Sequence, residues 1–249
     1  MTRRILVLSG KGGVGKTSLV SNLAIALAEL GENTIAVDAN LTTPNLGMHL
    51  GLHLTSKTIH DVLRDKVDVR KAMCFHPLGI RVLTGSLNVN KIRGVNAGRL
   101  PEVTLSLMGK ADYILMDCAS SFGQEVISTL AACDEVIVIT NPDLPSVTEA
   151  FKGIKIAGQE GKEVLGVVIN RLKDKKKLKK EDIEEILGVP VLAEIPEDEN
   201  VTASISTKTP IVSYKPNSPA AKEIKKLACK ITGRPYKEER GIFSRIFGW

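Results

Sequence analysis

Aromatic residues and long apolar runs are scarce in this chain. Phe, Trp and Tyr make up 4% of its 249 residues, and no internal repeat or 18-residue apolar stretch is visible. A transmembrane helix needs about 20 apolar residues, so none is expected. The first apolar run, at residues 5–8, is short and leads into a glycine-rich loop, and therefore does not predict a signal peptide.

Cysteine pairs are also missing. The four cysteines are widely spaced: Cys74, Cys118, Cys133 and Cys229. Without CxxC or CxC spacing they predict neither a metal site nor a redox pair, and we interpret them as reduced, partly buried residues of a cytosolic protein. The four histidines are scattered over predicted loops and short helices and are interpreted as structural: His49, His53, His60 and His76.

The overall composition is that of one globular domain. Hydrophobic residues make up 43% of the chain and charged residues 25%, which favours a single α/β domain with a sizeable core. The net charge of +6 permits anionic partners, including nucleic acid, but does not require one.

Residues 10–18 form a phosphate-binding motif. The frame Gly10-x-x-x-x-Gly15-Lys16-Thr17 matches the P-loop pattern, and it stands between an apolar run and an amphipathic segment. Glycines let backbone N–H groups curl around phosphate oxygens, and a helix N-terminus adds its positive dipole end. We expect Lys16 to reach the β- and γ-phosphates and Thr17 to bind Mg²⁺. The predicted loop residues are Gly10, Lys11, Gly12, Gly13, Val14, Gly15, Lys16, Thr17 and Ser18.

Strand-like and helix-like segments alternate along the chain. Predicted strands are 4–9, 34–38, 80–84, 112–117, 135–140, 164–170 and 191–195; predicted helices are 16–30, 99–109, 123–132, 146–158, 180–187 and 217–232. Short, continuous apolar runs such as 136–139 are typical of strands buried on both faces. The sequence therefore predicts an α/β fold with a single doubly wound, mostly parallel sheet flanked by helices, and ligands at the carboxyl ends of its strands.

Two aspartates close predicted parallel strands. Asp38 ends the second strand, and Asp117 ends the apolar run 113–116 in the Walker B form. Mg²⁺ keeps much of its water, so such carboxylates hold it through water molecules. Each could instead be a helix cap. Together with Thr17 they are the predicted Mg²⁺ ligands.

Lys11 at the start of the loop resembles the signature lysine of the MinD/ParA family of deviant Walker A P-loop ATPases. In that family this lysine reaches across a nucleotide-sandwich dimer to the partner's phosphates. The resemblance implies an ATP-bound homodimer. The alternative is a solvent-facing lysine.

Further motifs place the resemblance over nearly the whole chain, closest to the MinD branch. Residues 38–46 look like switch I, where Asp38 helps to position the attacking water, and residues 117–121 stand where switch II is found. Thr140-Asn141-Pro142 and a helix beginning near Ser146 match the segment after the fifth family strand. Base contacts that favour ATP over GTP are implied for Asn170, Arg171, Pro196 and Glu197.

Two departures from the family pattern bear on catalysis. Asn40 replaces a carboxylate common two residues after Asp38; an amide can orient water but cannot accept a proton in the same way. Ala119 and Ser121 replace the proline and glycine usual in switch II, which makes a peptide flip costlier. We predict slow hydrolysis, with Lys11, Lys16, Asp38 and Asn40 as the catalytic residues.

The C-terminal residues 234–249 are predicted to be a linker and an amphipathic membrane-targeting helix following an ATPase domain at 1–233. At 100° per residue five apolar side chains share an arc of roughly 160°, and Ser244 and Arg245 fall outside it. They are Ile242, Phe243, Ile246, Phe247 and Trp249. This is the make-up of an interfacial helix and resembles the tail by which MinD attaches to membranes. Docking onto this protein's own core or onto a partner is the alternative.

The sequence therefore predicts an ATPase, using ATP/ADP and Mg²⁺, that cycles on the cytoplasmic face of the cell membrane and positions division or other polar machinery. A protein activator or cargo is implied. One alternative is a ParA-like partition ATPase that binds DNA through residues 171–180, seven of which are basic, although that run is also typical of a solvated loop. Another is a nucleotide-bound scaffold with negligible turnover.

Overall fold

The computed structural model describes residues 1–52, 54–120, 122–173 and 178–237. The strands are, in chain order, β1 (Arg3–Leu8), β2 (Thr34–Asp38), β3 (Cys74–Phe75), β4 (Arg81–Leu83), β5 (Tyr113–Asp117), β6 (Glu135–Thr140), β7 (Glu163–Leu172) and β8 (Val191–Pro196). The helices within these ranges are α1 (Lys16–Glu29), α2 (Leu46–His49), α3 (Ile59–Leu63), α4 (Val69–Ala72), α5 (Val89–Ile92), α6 (Leu100–Ser106), α7 (Gln124–Ala131), α8 (Leu144–Gln159), α9 (Lys180–Leu187), α10 (Glu199–Ser206), α11 (Ile211–Tyr214) and α12 (Pro219–Thr232).

The strands form one sheet in the order β3-β4-β2-β5-β1-β6-β7-β8. Every neighbouring pair is parallel except β3 and β4. This confirms the predicted doubly wound, mostly parallel sheet. The segments that follow β1, β2 and β5 therefore leave the same edge of the sheet side by side, as ligand sites of such folds require.

Alternate residues of the central strand β1 enter two apolar layers on opposite faces of the sheet. Leu6 and Leu8 pack with residues of α6 to α9, whereas Ile5 and Val7 pack with α1, α11 and α12. All four side chains are fully buried. The continuous apolar runs in the sequence arise because helices cover both faces.

All seven predicted strands and six predicted helices are present, with small shifts. α8 begins at Leu144 rather than near Ser146, because Asp143 caps it by accepting a hydrogen bond from the Ser146 amide (3.0 Å). β7 was predicted to end at Asn170 but continues to Leu172, so Asn170 and Arg171 are both strand residues. Three cysteines are buried and Cys74 is half-buried.

The sequence reading missed β3 and the short helices. β3 has two residues, and α2 to α5 and α11 have four or five each, too few to show a period. α10 has eight residues, but Val201 and Ile205 are its only large apolar residues, too few to indicate a helix in the sequence.

Several predicted features lie outside the described residues. They are the C-terminal helix with Ile242, Phe243, Ile246, Phe247 and Trp249, the switch II residue Ser121, His53, and residues 174–177 of the basic run. Of the helices the structure describes, none combines the length and apolar character needed to cross a bilayer.

Candidate functional site

The loop between β1 and α1 bends at two glycines with left-handed backbone angles. Gly13 has φ 77° and Gly15, which caps α1, has φ 102°. A Cβ on Gly15 would lie 2.3 Å from Nδ2 of Asn170. Glycine is therefore required at position 15 both for its φ angle and for the close approach of β7.

The N-terminus of α1 is left open for an anion. Neither an acidic residue in its first turn nor a capping side chain satisfies its free amides among the described residues. Lys16 is buried there, with its Nζ 3.6 Å from Oδ1 of Asp117. Backbone donors, the helix dipole and a shielded ammonium together make a site for phosphate oxygens.

Two carboxylates lie buried behind the loop. Asp38 and Asp117 are opposite each other in the β2–β5 register, and both are 0% exposed. Asp117 Oδ2 accepts a hydrogen bond from the Thr17 hydroxyl (2.6 Å), and Asp38 Oδ2 accepts one from the Leu46 amide (3.0 Å). Among the described residues, Oδ1 of each aspartate has no hydrogen-bond partner.

Burial raises the pKa of both carboxyls, and the Asp117 charge raises the pKa of Asp38 further. Lys16 lies near Oδ1 of Asp117 (3.6 Å), and Oδ1 of Asp38 accepts no hydrogen bond from the described residues, so both carboxylates keep an oxygen that could bind a metal-bound water. The Thr17 hydroxyl beside them completes an all-oxygen donor set suited to hydrated Mg²⁺. The residues present therefore fit the predicted metal.

A cavity of about 380 Å³ opens above these groups and runs from the loop to the far edge of the sheet. The predicted site residues that line it are Gly13, Gly15, Lys16, Thr17, Ser18, Asn40, Asn170, Arg171, Pro196 and Glu197. Asn170 also donates from Nδ2 to the Val14 carbonyl (2.7 Å), so β7 is tied to the loop. The loop predicted to bind the phosphates and the segments predicted to contact the base, about 150 residues apart in the chain, thus border the same cavity.

Six predicted residues do not line this cavity: Gly10, Lys11, Gly12, Val14, Asp38 and Asp117. The two aspartates lie beneath its floor, and Gly10 instead faces Phe122, whose Cζ would be 2.6 Å from a Cβ at position 10. Gly153 of α8 approaches the same ring. Phe122 therefore joins the end of switch II to the loop and to α8.

Several cavity residues were given no individual role by the sequence analysis: Thr43 and Asn45 of switch I, His49 of α2, and Val201, Thr202 and Ile205 of α10. His49, which the sequence analysis interprets as structural, ends α2 and borders the cavity. Burial lowers its pKa. α2 and α10 are too short for a clear helical period in the sequence. Only their closeness to the switch I motif and to Pro196-Glu197 could have suggested these residues.

Lys11 points away from the cavity of its own chain. Its Nζ lies 3.2 Å from Oγ of Ser146 and 3.4 Å from Oδ1 of Asp143, at the N-terminus of α8, and its side chain is 46% exposed. The ammonium is thus held at the surface by weak polar contacts and remains accessible.

Asn40 uses its side-chain oxygen to shape switch I. Oδ1 accepts hydrogen bonds from the amide and the hydroxyl of Thr43, each at 3.1 Å. The neighbouring Thr42 hydroxyl donates to Glu125 of α7. Switch I is therefore closed by its own turn and tied to the helix that follows switch II.

The profile of the CobQ/CobB/MinD/ParA nucleotide-binding domain matches residues 5–211. The chain belongs to this family. It is similar to an uncharacterized ATP-binding protein of Methanocaldococcus jannaschii, with 34% identity over 240 residues that cover 96% of this chain and 91% of the relative.

Solved structures of MinD proteins share the fold of this MinD-like chain. The septum site-determining protein MinD of Pyrococcus horikoshii, complexed with Mg-ADP, has a TM-score of 0.90 at 34% identity, covering 93% of this chain and 96% of that one. MinD in the MinC:MinD cell division protein complex of Aquifex aeolicus has a TM-score of 0.84 at 28% identity, covering 96% and 99%. The protein is a member of the MinD-like cell division ATPase family.

Proposed function

We propose that this protein is an ATP-dependent, dimerising switch that binds the cytoplasmic face of the cell membrane reversibly and positions division or other polar machinery. The observation that carries the proposal is the single cavity that joins the P-loop to Asn170, Arg171, Pro196 and Glu197 above a buried carboxylate pair. Its shape and donors fit a nucleoside triphosphate with Mg²⁺.

The side chains divide the work of binding. Lys16 and the first amides of α1 hold the phosphates, and Asn170, Arg171, Pro196 and Glu197 border the base end. Thr17, Asp38 and Asp117 would hold Mg²⁺, the two carboxylates through water. When bound, Mg²⁺ neutralises charge that develops on the phosphates during transfer to water. The P. horikoshii relative holds this cofactor pair in its ADP form.

Hydrolysis is slow in this proposal. Asp38 orients the attacking water, but its neighbour in switch I is an amide whose oxygen already accepts two hydrogen bonds from Thr43. Asn40 cannot take the proton of that water. A long-lived ATP state would suit a switch whose timing is set by a protein activator.

The position of Lys11 supports dimerisation in this proposal. Its side chain does not border the cavity of its own chain and is 46% exposed, so it could reach the phosphates of a second copy. On dimerisation Lys11 would give up its contacts with Ser146 and Asp143 and gain a contact with the partner's γ-phosphate. Since ADP lacks that phosphate, the dimer should form with ATP rather than with ADP.

The predicted tail supplies a membrane contact whose strength depends on that dimer. Each large apolar side chain offers about 1.5–3 kcal/mol when fully buried, and ordering each residue costs about 1 kcal/mol or more, so one tail is a marginal anchor. Two tails on one dimer turn the second insertion into an intramolecular step, with a gain in avidity of about 10²–10⁴. Hydrolysis would reverse the attachment.

A protein partner acts on the dimer in this proposal. The A. aeolicus MinD is found in a complex with MinC. By analogy we expect an activator or a division factor to bind this protein, although the chemistry of the site does not specify which.

The first test is the mass of the protein in solution with ATP or ADP, measured by light scattering alongside phosphate release. Lys11→Ala should bind nucleotide but stay monomeric, whereas Lys152→Ala, a matched exposed lysine on α8, should dimerise normally. A monomer in ATP would refute the dimer. Binding of duplex DNA but not of anionic vesicles would favour the partition ATPase, and ATP binding without phosphate release would favour the scaffold.

A further inference from the structure

His60 lies fully buried on α3, beneath switch I. Its Nε2 is 2.8 Å from the Leu41 carbonyl oxygen, and its Nδ1 is 3.0 Å from the Ser86 amide nitrogen. Because the amide can only donate, Nδ1 accepts and the ring proton resides on Nε2. The imidazole is therefore neutral and both of its nitrogens are used.

The two bonded groups belong to different functional segments. Leu41 follows Asn40 directly in switch I, and Ser86 lies in the segment that leaves β4. Gly85 in that segment packs against switch I, because a Cβ on Gly85 would lie 3.3 Å from Oδ2 of Asp38 and 2.2 Å from Cβ of Pro44. The β4 exit thus touches switch I on both sides of Leu41.

Local hydrogen bonds fix the position of α3, and therefore of the His60 ring. The Ile59 amide donates to the Thr84 carbonyl (2.9 Å), and Thr58 and Asp61 form a capping box at the helix start. A helix of five residues has little intrinsic stability, so these contacts with the β4 exit fix where His60 sits.

We propose that His60 is a positioning residue, which holds the Leu41 carbonyl so that Asn40 and Asp38 keep their places relative to the P-loop during ATP hydrolysis. This role rests on the proposed ATPase function. His60 does not border the cavity and acts only through the switch I backbone. Loss of the bridge should free residues 40–43 without removing any group that binds nucleotide.

His76 provides a matched control. Its ring makes the same kind of bridge, with Nε2 3.0 Å from the Leu50 carbonyl oxygen and Nδ1 accepting from the Leu78 amide (3.2 Å). None of these three residues borders the cavity or belongs to switch I. His76→Phe therefore removes an equivalent pair of hydrogen bonds elsewhere in the fold.

The test compares steady-state hydrolysis by the full chain with His60→Phe, His60→Gln and His76→Phe. We expect His60→Phe to lower kcat about tenfold, equivalent to about 1.4 kcal/mol, with KM changed less than about threefold. His60→Gln, which can donate to Leu41 and accept from Ser86, should recover part of kcat. His76→Phe should leave kcat at the wild-type value.

A second readout separates this inference from the proposed function. Amide hydrogen exchange of residues 40–46 in Mg-ATP should be faster in His60→Phe than in wild type or His76→Phe, whether or not phosphate is released. A wild type that binds ATP without hydrolysing it would refute the ATPase alone. Equal exchange in His60→Phe and His76→Phe, or equal losses of kcat in these two variants, would overturn the role of His60. If His60→Phe does not fold, His60→Gln replaces it in the comparison with His76→Phe. Faster exchange in His60→Gln would then support the role of His60, and equal exchange would overturn it.

Discussion

Asp38 and Asp117 face each other across adjacent parallel strands, both excluded from solvent and each with one oxygen that accepts no hydrogen bond among the described residues. Burial raises the pKa of both carboxyls; the charge of Asp117 raises the pKa of Asp38 further, and the Lys16 ammonium acts in the opposite direction on the pKa of Asp117. In the proposed function Mg²⁺ binds beside this pair, and we expect it to offset the cost of burying the two charges.

Asp117→Asn should weaken metal binding. Removing the Asp117 charge relieves the repulsion on Asp38 but leaves the buried Lys16 ammonium without its carboxylate, so we expect the unfolding temperature without ligand to be a few degrees lower than that of wild type, at about 2–4 °C per kcal/mol. The rise in unfolding temperature that Mg-ATP gives wild type should be mostly lost. Thermal unfolding with and without Mg²⁺, using EDTA as the metal-free control, measures both. A variant stabilised by Mg-ATP as strongly as wild type would show that Asp117 does not hold the metal.

Gly15→Ala should abolish nucleotide binding. Alanine is strained at φ 102°, and its Cβ would collide with Asn170 Nδ2, so we expect a loss of about 1–3 kcal/mol in unfolding free energy. Gly31 is a matched control, since it has φ 85° but nothing within 4 Å of a Cβ. Gly31→Ala should cost about 1 kcal/mol and bind ATP normally in a calorimetric titration. Similar ATP affinities for the two variants would show that the loop geometry is not needed.

Asn40→Asp should hydrolyse ATP faster than wild type. An aspartate can keep both hydrogen bonds from Thr43 and adds a carboxylate that accepts a proton from the attacking water. General-base catalysis typically raises a rate by roughly 10²–10⁴-fold. Because Asp38 already orients the water, we expect Asn40→Asp to raise kcat by no more than about 10²-fold. Phosphate release under saturating ATP measures the change. A rate equal to wild type would mean that position 40 does not limit turnover.

Stability should fall as the pH drops below neutral, in part through His60. Burial lowers the pKa of His60 from its ordinary 6.5, so the unfolded chain binds a proton where the folded chain does not. The stabilisation is complete above pH 6.5 and is lost as the pH falls below it, by at most about 1.4 kcal/mol per pH unit. Asp38 and Asp117, with raised pKa values, act in the opposite direction but equally in both proteins compared. Urea unfolding at pH 7.5 and 5.5 should show a smaller loss for His60→Phe than for wild type; an equal loss would show that His60 does not contribute.

The sheet and the P-loop were predictable because their signals are local. Continuous apolar runs such as residues 136–139 mark strands covered on both faces, and the Gly10–Thr17 frame fixes a loop whose backbone must curl. The aspartate pair was also predictable, since strands that end together place their last residues together.

The remaining site residues depend on tertiary packing. α10 borders the cavity through Val201, Thr202 and Ile205, yet its two large apolar residues are too few to indicate a helix in the sequence. Nothing in the sequence distinguishes His60 from His76. The role proposed for His60 depends on its hydrogen bonds with Leu41 and Ser86, which only the fold brings together. No spacing rule relates residues 41, 60 and 86.

The most direct test of the membrane switch is co-sedimentation of the full chain with anionic vesicles in ATP or ADP, beside a variant with Phe243→Ser and Phe247→Ser. Phe75→Ser is the matched control, because Phe75 is an exposed phenylalanine (82%) on the edge strand β3. Wild type and Phe75→Ser should pellet with vesicles in ATP and stay in solution in ADP, and the tail variant should stay in solution in both. Pelleting of the tail variant in ATP, or equal pelleting of wild type in the two nucleotides, would contradict an ATP-controlled membrane anchor.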